Sequence, residues 1–499
     1  MKVALVQPVR IEEPIPSLGL SYLHQSLLND GHQVRQLDVN FDYHIKRKIE
    51  KFYPDYIGVT VCNPQVWRAK WIVDYAKSLN IPVIIGGPSV TQRPEYCLRE
   101  LGADIAVMGD GVFAIQDAIN ANYSARGIAR IVDGTFLSTG TREAKINEWP
   151  TPVVRKNENR IARLTSAVGC YADCTFCNVR ELNPQIGLRN AEKILEDMTT
   201  IARLDKPREF FFQDDNSFMN LKQLEEVLCG MNRLRLRQKI SYSTRANQVC
   251  RSEDIFRRND GRIKEVNIGI ESFLPQQLER WSKGTTREDN LSAIDILLRN
   301  NIRPRCYMIA FDEQSTYDEA KQSFDFFAEN PFYFFYTYPF QMMCYDDDAD
   351  RGFARYKSKN PGLPFHYARD IIKVLIDVMT TTGLQPYRNQ ILGSPGLQTY
   401  PYPPEILEKS RFFFYALHTH MTKLGSGLLT TSDSQKSPLS YDLGNMTNLI
   451  VQMRQSMFIA ANATPPDPEI EGDQAWKIIR DSMSKLIEDS VRASKNIAV

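Results

Sequence analysis

No stretch of the 499 residues approaches the roughly 18 to 20 consecutive apolar side chains that a membrane helix needs. The opening MKVALVQPVR has a single early lysine and a short apolar run before Pro8, too little for a secretory signal core, so the chain is expected in the cytoplasm. Neither sign of charge is in excess: 61 basic against 60 acidic residues leave +1. Nothing therefore marks nucleic acid or an anionic membrane as a partner. Histidine is scarce, at six residues. Of nine cysteines, the six outside one triplet stand isolated without CxxC pairs, which excludes a disulfide framework and a second metal cluster as expectations.

What is present is ordinary globular material, 42% apolar and 24% charged, in a chain too long for one core, so several domains are expected. Residues 1–125 alternate strand-like and helix-like runs in units of about 30, among them KVALVQP, YIGVTVC, PVIIGG and IAVMGDG. That rhythm predicts a parallel sheet wrapped on both faces, a Rossmann-like domain with ligands at the strand C-termini. Residues 126–159 turn polar and irregular and read as a linker. Residues 160–350 hold six further strand-like runs, from RIARLTSAVGC to FYFFYTYPFQMM, separated by helical segments. They predict a partial (β/α)6 TIM-like barrel with its chemistry at the C-terminal rim. Residues 351–499 read as mostly helical, a region suited to capping the rim and selecting substrate.

The triplet is GCYADCTFCNV, with Cys170, Cys174 and Cys177 spaced CxxxCxxC. A structural zinc site wants four ligands, but the next cysteine is Cys229 and the nearest histidines are His44 and His366. Three thiolates around a [4Fe–4S] cluster leave one iron open to a further ligand. CxxxCxxC, with Phe176 before its last cysteine, in the loop after the first strand of a (β/α)6 series, resembles the radical S-adenosylmethionine (SAM) superfamily. The resemblance implies that the open iron holds the amino and carboxylate groups of SAM. One-electron reduction, by a donor such as flavodoxin or ferredoxin, would then release a 5′-deoxyadenosyl radical.

By the same resemblance Phe176 belongs to the SAM-binding set, and Asp214, Asp215 and Asn216 in FFQDDNSF stand at the family's position for the SAM ammonium. Arg245 in STRAN suits the SAM carboxylate, and Glu271 in NIGIES suits the ribose hydroxyls. MIAFDEQST departs from the family's usual stretch after the fifth strand, with Asp312 and Glu313 in place of Pro-Gly.

A Rossmann-like domain ahead of such a barrel resembles the B12-binding domain of cobalamin-dependent radical SAM enzymes, and the combined resemblance covers about residues 1 to 345. The matching positions for cobalamin are Thr60, Gly86, Gly87, Gly109 and Gly111, where small residues let backbone approach a corrin. The first βα loop, QPVRIEEPIPSLG, contains no histidine to ligate cobalt, and His24 and His32 lie in or after the following helix. The expected function is thus a methyltransferase that moves a methyl group from methylcobalamin to an unactivated carbon of a small molecule. The alternatives are a cyclisation, rearrangement or ring contraction with the same cofactors, and a non-enzymatic module held by a structural metal. YDDDAD lacks the glycine and glutamate of a calcium loop. His418 and His420 would face different sides of a helix, and Tyr336, Tyr338 and Gln341 are candidates for meeting substrate.

Overall fold

The computed structural model describes residues 1–8, 16–62, 66–154 and 160–311, with single positions at 319, 322, 323, 326, 341 and 342. Asp312, Glu313, Tyr336, Tyr338, the YDDDAD stretch and the whole 351–499 region lie outside the described residues.

The chain opens β1 (Lys2–Gln7), α1 (Leu18–Asn29), β2 (Gln33–Asp38), α2 (Ile45–Phe52), β3 (Tyr56–Thr60), α3 (Val66–Ser78), β4 (Val83–Gly86), α4 (Pro88–Gln92), α5 (Pro94–Leu101), β5 (Ile105–Val107), α6 (Gly111–Ile119). β1 to β5 are parallel in the order 2-1-3-4-5. Successive side chains of a strand point to opposite faces. Accordingly Ala4, Val6, Val83 and Ile85 join one buried cluster while Val3, Leu5 and Ile84 join another. A sheet apolar on both faces must be covered by helices on both, which is the Rossmann-like layering expected.

The stretch read as a linker from 126 to 159 is corrected in part. β6 (Ile128–Val132) and β7 (Thr135–Ser138) form an antiparallel hairpin that extends the sheet to seven strands. Its turn is Asp133-Gly134, with φ of 47° and 78°, the pair of positive angles that matches strand twist in a two-residue hairpin. The polar surroundings of RIVDGTFLS hid this turn signal.

The barrel half runs β8 (Ile161–Leu164), β9 (Ala167–Val168), α7 (Val179–Leu182), β10 (Gly187–Leu188), α8 (Ala191–Leu204), β11 (Glu209–Phe212), α9 (Leu221–Arg233), β12 (Lys239–Arg245), α10 (Ala246–Arg251), α11 (Glu253–Arg258), β13 (Ile263–Glu271), α12 (Pro275–Arg280), α13 (Arg287–Arg299), β14 (Arg303–Phe311), β15 (Gln341–Met342). β8, β11, β12 and β13 are neighbouring parallel strands in sequence order. Phe210 and Phe212 of β11 and Tyr242 of β12 are fully buried. The described residues form two compact units, Met1–Ile270 with Leu278–Arg305, and Glu271–Gln277 with those from Cys306 onward. In the second, β14 pairs with β15 in parallel and Phe273 stacks on Phe326 at 4.4 Å. No helix among the described residues is long and apolar enough to cross a membrane.

Candidate functional site

The cysteine loop leaves β9 through Gly169, whose φ of +79° favours glycine and whose missing Cβ would meet the Gln185 carbonyl at 3.0 Å. The backbone N–H of Cys177 donates to the Cys174 carbonyl at 3.0 Å. That of Thr175 donates to the Trp281 carbonyl, also at 3.0 Å. Phe176 meets Trp281 edge-on at 5.9 Å, with the Lys283 ammonium 5.8 Å from its ring. The aromatic before the last cysteine therefore seats the loop on the segment after α12. Cys174 is buried, while Cys170 and Cys177 are half-buried. Burial pushes the Cys177 thiol up against a hydrogen bond from the Val179 backbone, and the charges of Cys174, Asp215 and Cys170 push the same way. Thiols that raise one another in this way need a cation to be thiolates together.

Two strand ends send donors to the sulfurs. Asn216, just past β11 and buried, donates from Nδ2 to Cys170 Sγ at 3.6 Å, while its Oδ1 accepts from the Thr244 hydroxyl at 3.1 Å. Arg245, the last residue of β12, donates from Nη1 to Cys174 Sγ at 3.3 Å and from Nη2 to the Lys283 carbonyl. Its guanidinium lies 5.7 Å from the Tyr171 ring, and its buried Nε has no partner.

Asp214 and Asp215 do different work. Asp214 accepts from the Ser166 N–H at 3.0 Å and from the Ser166 hydroxyl at 2.6 Å, with further bonds from Ser217 and the Ala167 backbone. It staples the end of β11 to the loop after β8. Burial nonetheless pushes its carboxyl up to about 7. Asp215 accepts from the Gly169 N–H at 3.3 Å and from the Asn183 side chain, and burial raises its carboxyl too. Glu271 ends β13 with a left-handed φ of 63° and is half-buried. Ser166, Tyr171, Trp281 and Lys283 carry no spacing signature in the sequence, so only the structure displays their part in the site.

On the sheet domain, Thr60 ends β3, Gly86 ends β4 with Gly87 after it, and Gly109 and Gly111 follow β5. Adjacent parallel strands bring these loops to one edge. A Cβ on Gly87, at φ +107°, would meet the Val61 carbonyl at 2.9 Å and the Thr60 hydroxyl at 3.1 Å. A Cβ on Gly109, at φ +77°, would strike the Arg142 carbonyl and stand 2.7 Å from Thr141 Cγ2. These two glycines answer first to close approach of the chain to itself. Gly86 and Gly111 have only ordinary contacts, nearest Val107 O and Leu23 Cδ2, each at 3.5 Å. His24 and His32 are engaged with Gln36 and Gln116.

A single zinc ion draws its sulfurs to about 2.3 Å from one point, whereas ligands of a four-iron cluster take separate irons. Among the described residues no three His, Cys, Asp or Glu side chains close on one ion. The donor set, three thiols on one loop with an amide and a guanidinium aimed at two of them, fits a cluster. The B12 binding domain model matches residues 9–119, and the Radical SAM superfamily model matches residues 164–327. The chain belongs to the cobalamin-dependent radical SAM enzymes.

Among its relatives, an uncharacterised methyltransferase of Pyrococcus horikoshii is 26% identical over 314 residues, 56% of this chain and 66% of that protein. The anaerobic magnesium-protoporphyrin IX monomethyl ester cyclase of Rubrivivax gelatinosus is 24% identical over 306 residues, 56% of this chain and 55% of the other. The matched stretches thus span less than two thirds of either relative's own length. The structure of the cobalamin-dependent S-adenosylmethionine radical enzyme OxsB with aqua-cobalamin and S-adenosylmethionine aligns with a TM-score of 0.66 at 16% identity, covering 100% of this chain and 80% of that one. That likeness concerns the fold. The cofactors of this radical SAM protein are a [4Fe–4S] cluster, SAM and cobalamin.

Proposed function

We propose that this radical SAM protein is a methyltransferase, moving a methyl group to an unactivated carbon of a small-molecule substrate with electrons from a flavodoxin- or ferredoxin-like donor. When bound, the cluster and SAM supply a carbon-centred radical, and cobalamin supplies a transferable methyl group. Cys170, Cys174 and Cys177 hold the cluster. Asp214 has its lone pairs taken, so Asp215 is the carboxylate with capacity for the SAM ammonium. The unpartnered Nε of Arg245 faces the task of meeting the SAM carboxylate, and Glu271 that of the ribose. Thr60, Gly86, Gly87, Gly109 and Gly111 line the strand ends assigned to cobalamin.

The observation that favours methyl transfer over cyclisation is the first βα loop, QPVRIEEPIPSLG, which has no imidazole to bind cobalt from below. A weakly held lower face favours surrender of a methyl group to a carbon radical. The test is the stoichiometry of SAM products in the anaerobically reconstituted protein. Methyl transfer yields S-adenosylhomocysteine and 5′-deoxyadenosine together, whereas 5′-deoxyadenosine with no S-adenosylhomocysteine would establish the cyclase-type reading instead.

A further inference from the structure

The segment between β7 and β8 is held by buried polar groups that neither cofactor site uses. Arg189, fully buried before α8, pairs with Asp197 of that helix at 2.6 Å. Its remaining donors go to the Ile146 carbonyl and, at 3.0 Å, to the Trp149 carbonyl. The other oxygen of Asp197 accepts from the Thr151 hydroxyl at 2.6 Å. The segment is thereby fastened to the barrel, and a charge pair this buried does not tolerate loss of one partner.

Trp149 reaches in the opposite direction. Its indole N–H donates at 3.0 Å to Asp110, the residue between Gly109 and Gly111. Asp110 also caps α6 through Val112 at 2.9 Å and accepts from the Lys145 N–H at 3.1 Å. The Trp149 ring lies 4.9 Å from that of Tyr22 on α1. The Tyr22 hydroxyl in turn accepts at 3.2 Å from the N–H of Thr165, in the loop that leads from β8 toward the cysteines.

We propose that Trp149 and Tyr22 are positioning residues that fix the loop after β5 against the loop after β8. The inference rests on the reading that the first loop belongs to the cobalamin site and the second to the cluster site. One side chain bonds to the glycine loop, the other to the approach of the thiolate loop, and their rings are in contact. Reaction between groups held by two domains depends on such register, since a misplacement of about 1 Å can cost on the order of a hundredfold.

The test uses the full chain with cluster and cobalamin reconstituted. Trp149→Phe keeps the ring against Tyr22 and removes the bond to Asp110, and Tyr22→Phe removes only the acceptor for Thr165. Both are compared with the unaltered chain for iron and cobalamin content, for dipolar coupling between the reduced cluster and cob(II)alamin by pulsed electron paramagnetic resonance, and for 5′-deoxyadenosine per S-adenosylhomocysteine. The expected result is unchanged cofactor content, a broadened distribution of cluster–cobalt distances, and a ratio raised about tenfold as radical formation uncouples from methyl transfer. An unaltered distance distribution in both variants overturns the proposal, as does loss of cofactors from both, which would mark a merely structural role. If the distances broaden but no chain forms S-adenosylhomocysteine, the positioning role stands and the methyl-transfer reading falls. An unaltered chain that retains no cobalamin sinks both.

Discussion

Arg245 carries two duties on one guanidinium, a bond to the Cys174 sulfur at 3.3 Å and a buried, unpartnered Nε. A charge-assisted donor to a ligating sulfur stabilises the more negative, reduced cluster. Arg245→Met is expected to keep its iron, because the arginine is no ligand, while the cluster potential moves negative in a redox titration followed by electron paramagnetic resonance. An unchanged potential with weakened SAM binding would reduce the residue to its carboxylate duty. The sequence displayed this arginine through STRAN, yet could not show its contact with a sulfur 71 positions earlier.

Asp214 offers a second test at the same scale. Burial pushes its carboxyl from 3.8 to about 7. Between those values the folded chain holds a proton that the unfolded chain has released, so this group's contribution to stability is largest below the lower value. It declines as pH rises to about 7 and is flat beyond. The slope is at most on the order of 1.4 kcal/mol per pH unit. Asp214→Asn removes it, so the variant should gain on the native protein between pH 5 and 7 in urea unfolding; a growing native advantage over that window would contradict the shift.

Among elements, those with strong periodicity were legible and those defined by a turn or a local contact were not. KVALVQP and PVIIGG declared buried strands because parallel strands covered on both faces read as continuous apolar runs. The α2 helix is not legible in the sequence because it is short, polar over most of its surface and begins after His44 at a left-handed φ of 57° with no capping side chain. Only Ile45 and Ile49, one turn apart, are buried. The glycines after β4 and β5 were legible as small residues at strand ends, but not the reason for them, since the sequence does not show that residue 142 crosses residue 109. That crossing makes a prediction. In Gly109→Ala the new methyl meets the Arg142 carbonyl and the backbone keeps a positive φ, so the cost should be roughly 1 to 3 kcal/mol in chemical unfolding even without cobalamin. If the variant is as stable as the native chain and loses only cobalamin affinity, the glycine serves the ligand alone.

At the scale of the molecule, two αβ modules in series were legible from alternation, and the triplet from spacing. The hairpin's membership of the first sheet and the strap through Trp149 were not, because both depend on contacts between distant segments. The same scale separates the enzyme from a module held together by a metal. A metal-stabilised module buries little apolar surface of its own and unfolds when stripped. Here the two clusters on either side of the first sheet hold Ile, Val, Leu and Ala at nearly zero exposure, and β11 and β12 bury Phe210, Phe212 and Tyr242. None of that core is built by the three clustered-motif cysteines, of which only Cys174 is buried. At about 25 cal/mol per Å² of apolar surface removed from water, the fold is stabilised by its own side chains. Removing the cluster with an anaerobic chelator should therefore leave the far-ultraviolet circular dichroism unchanged and lower the melting temperature by only a few degrees, on the order of what ligand linkage supplies. Collapse of the whole spectrum on loss of iron would mean that the thiolates hold the structure rather than the chemistry.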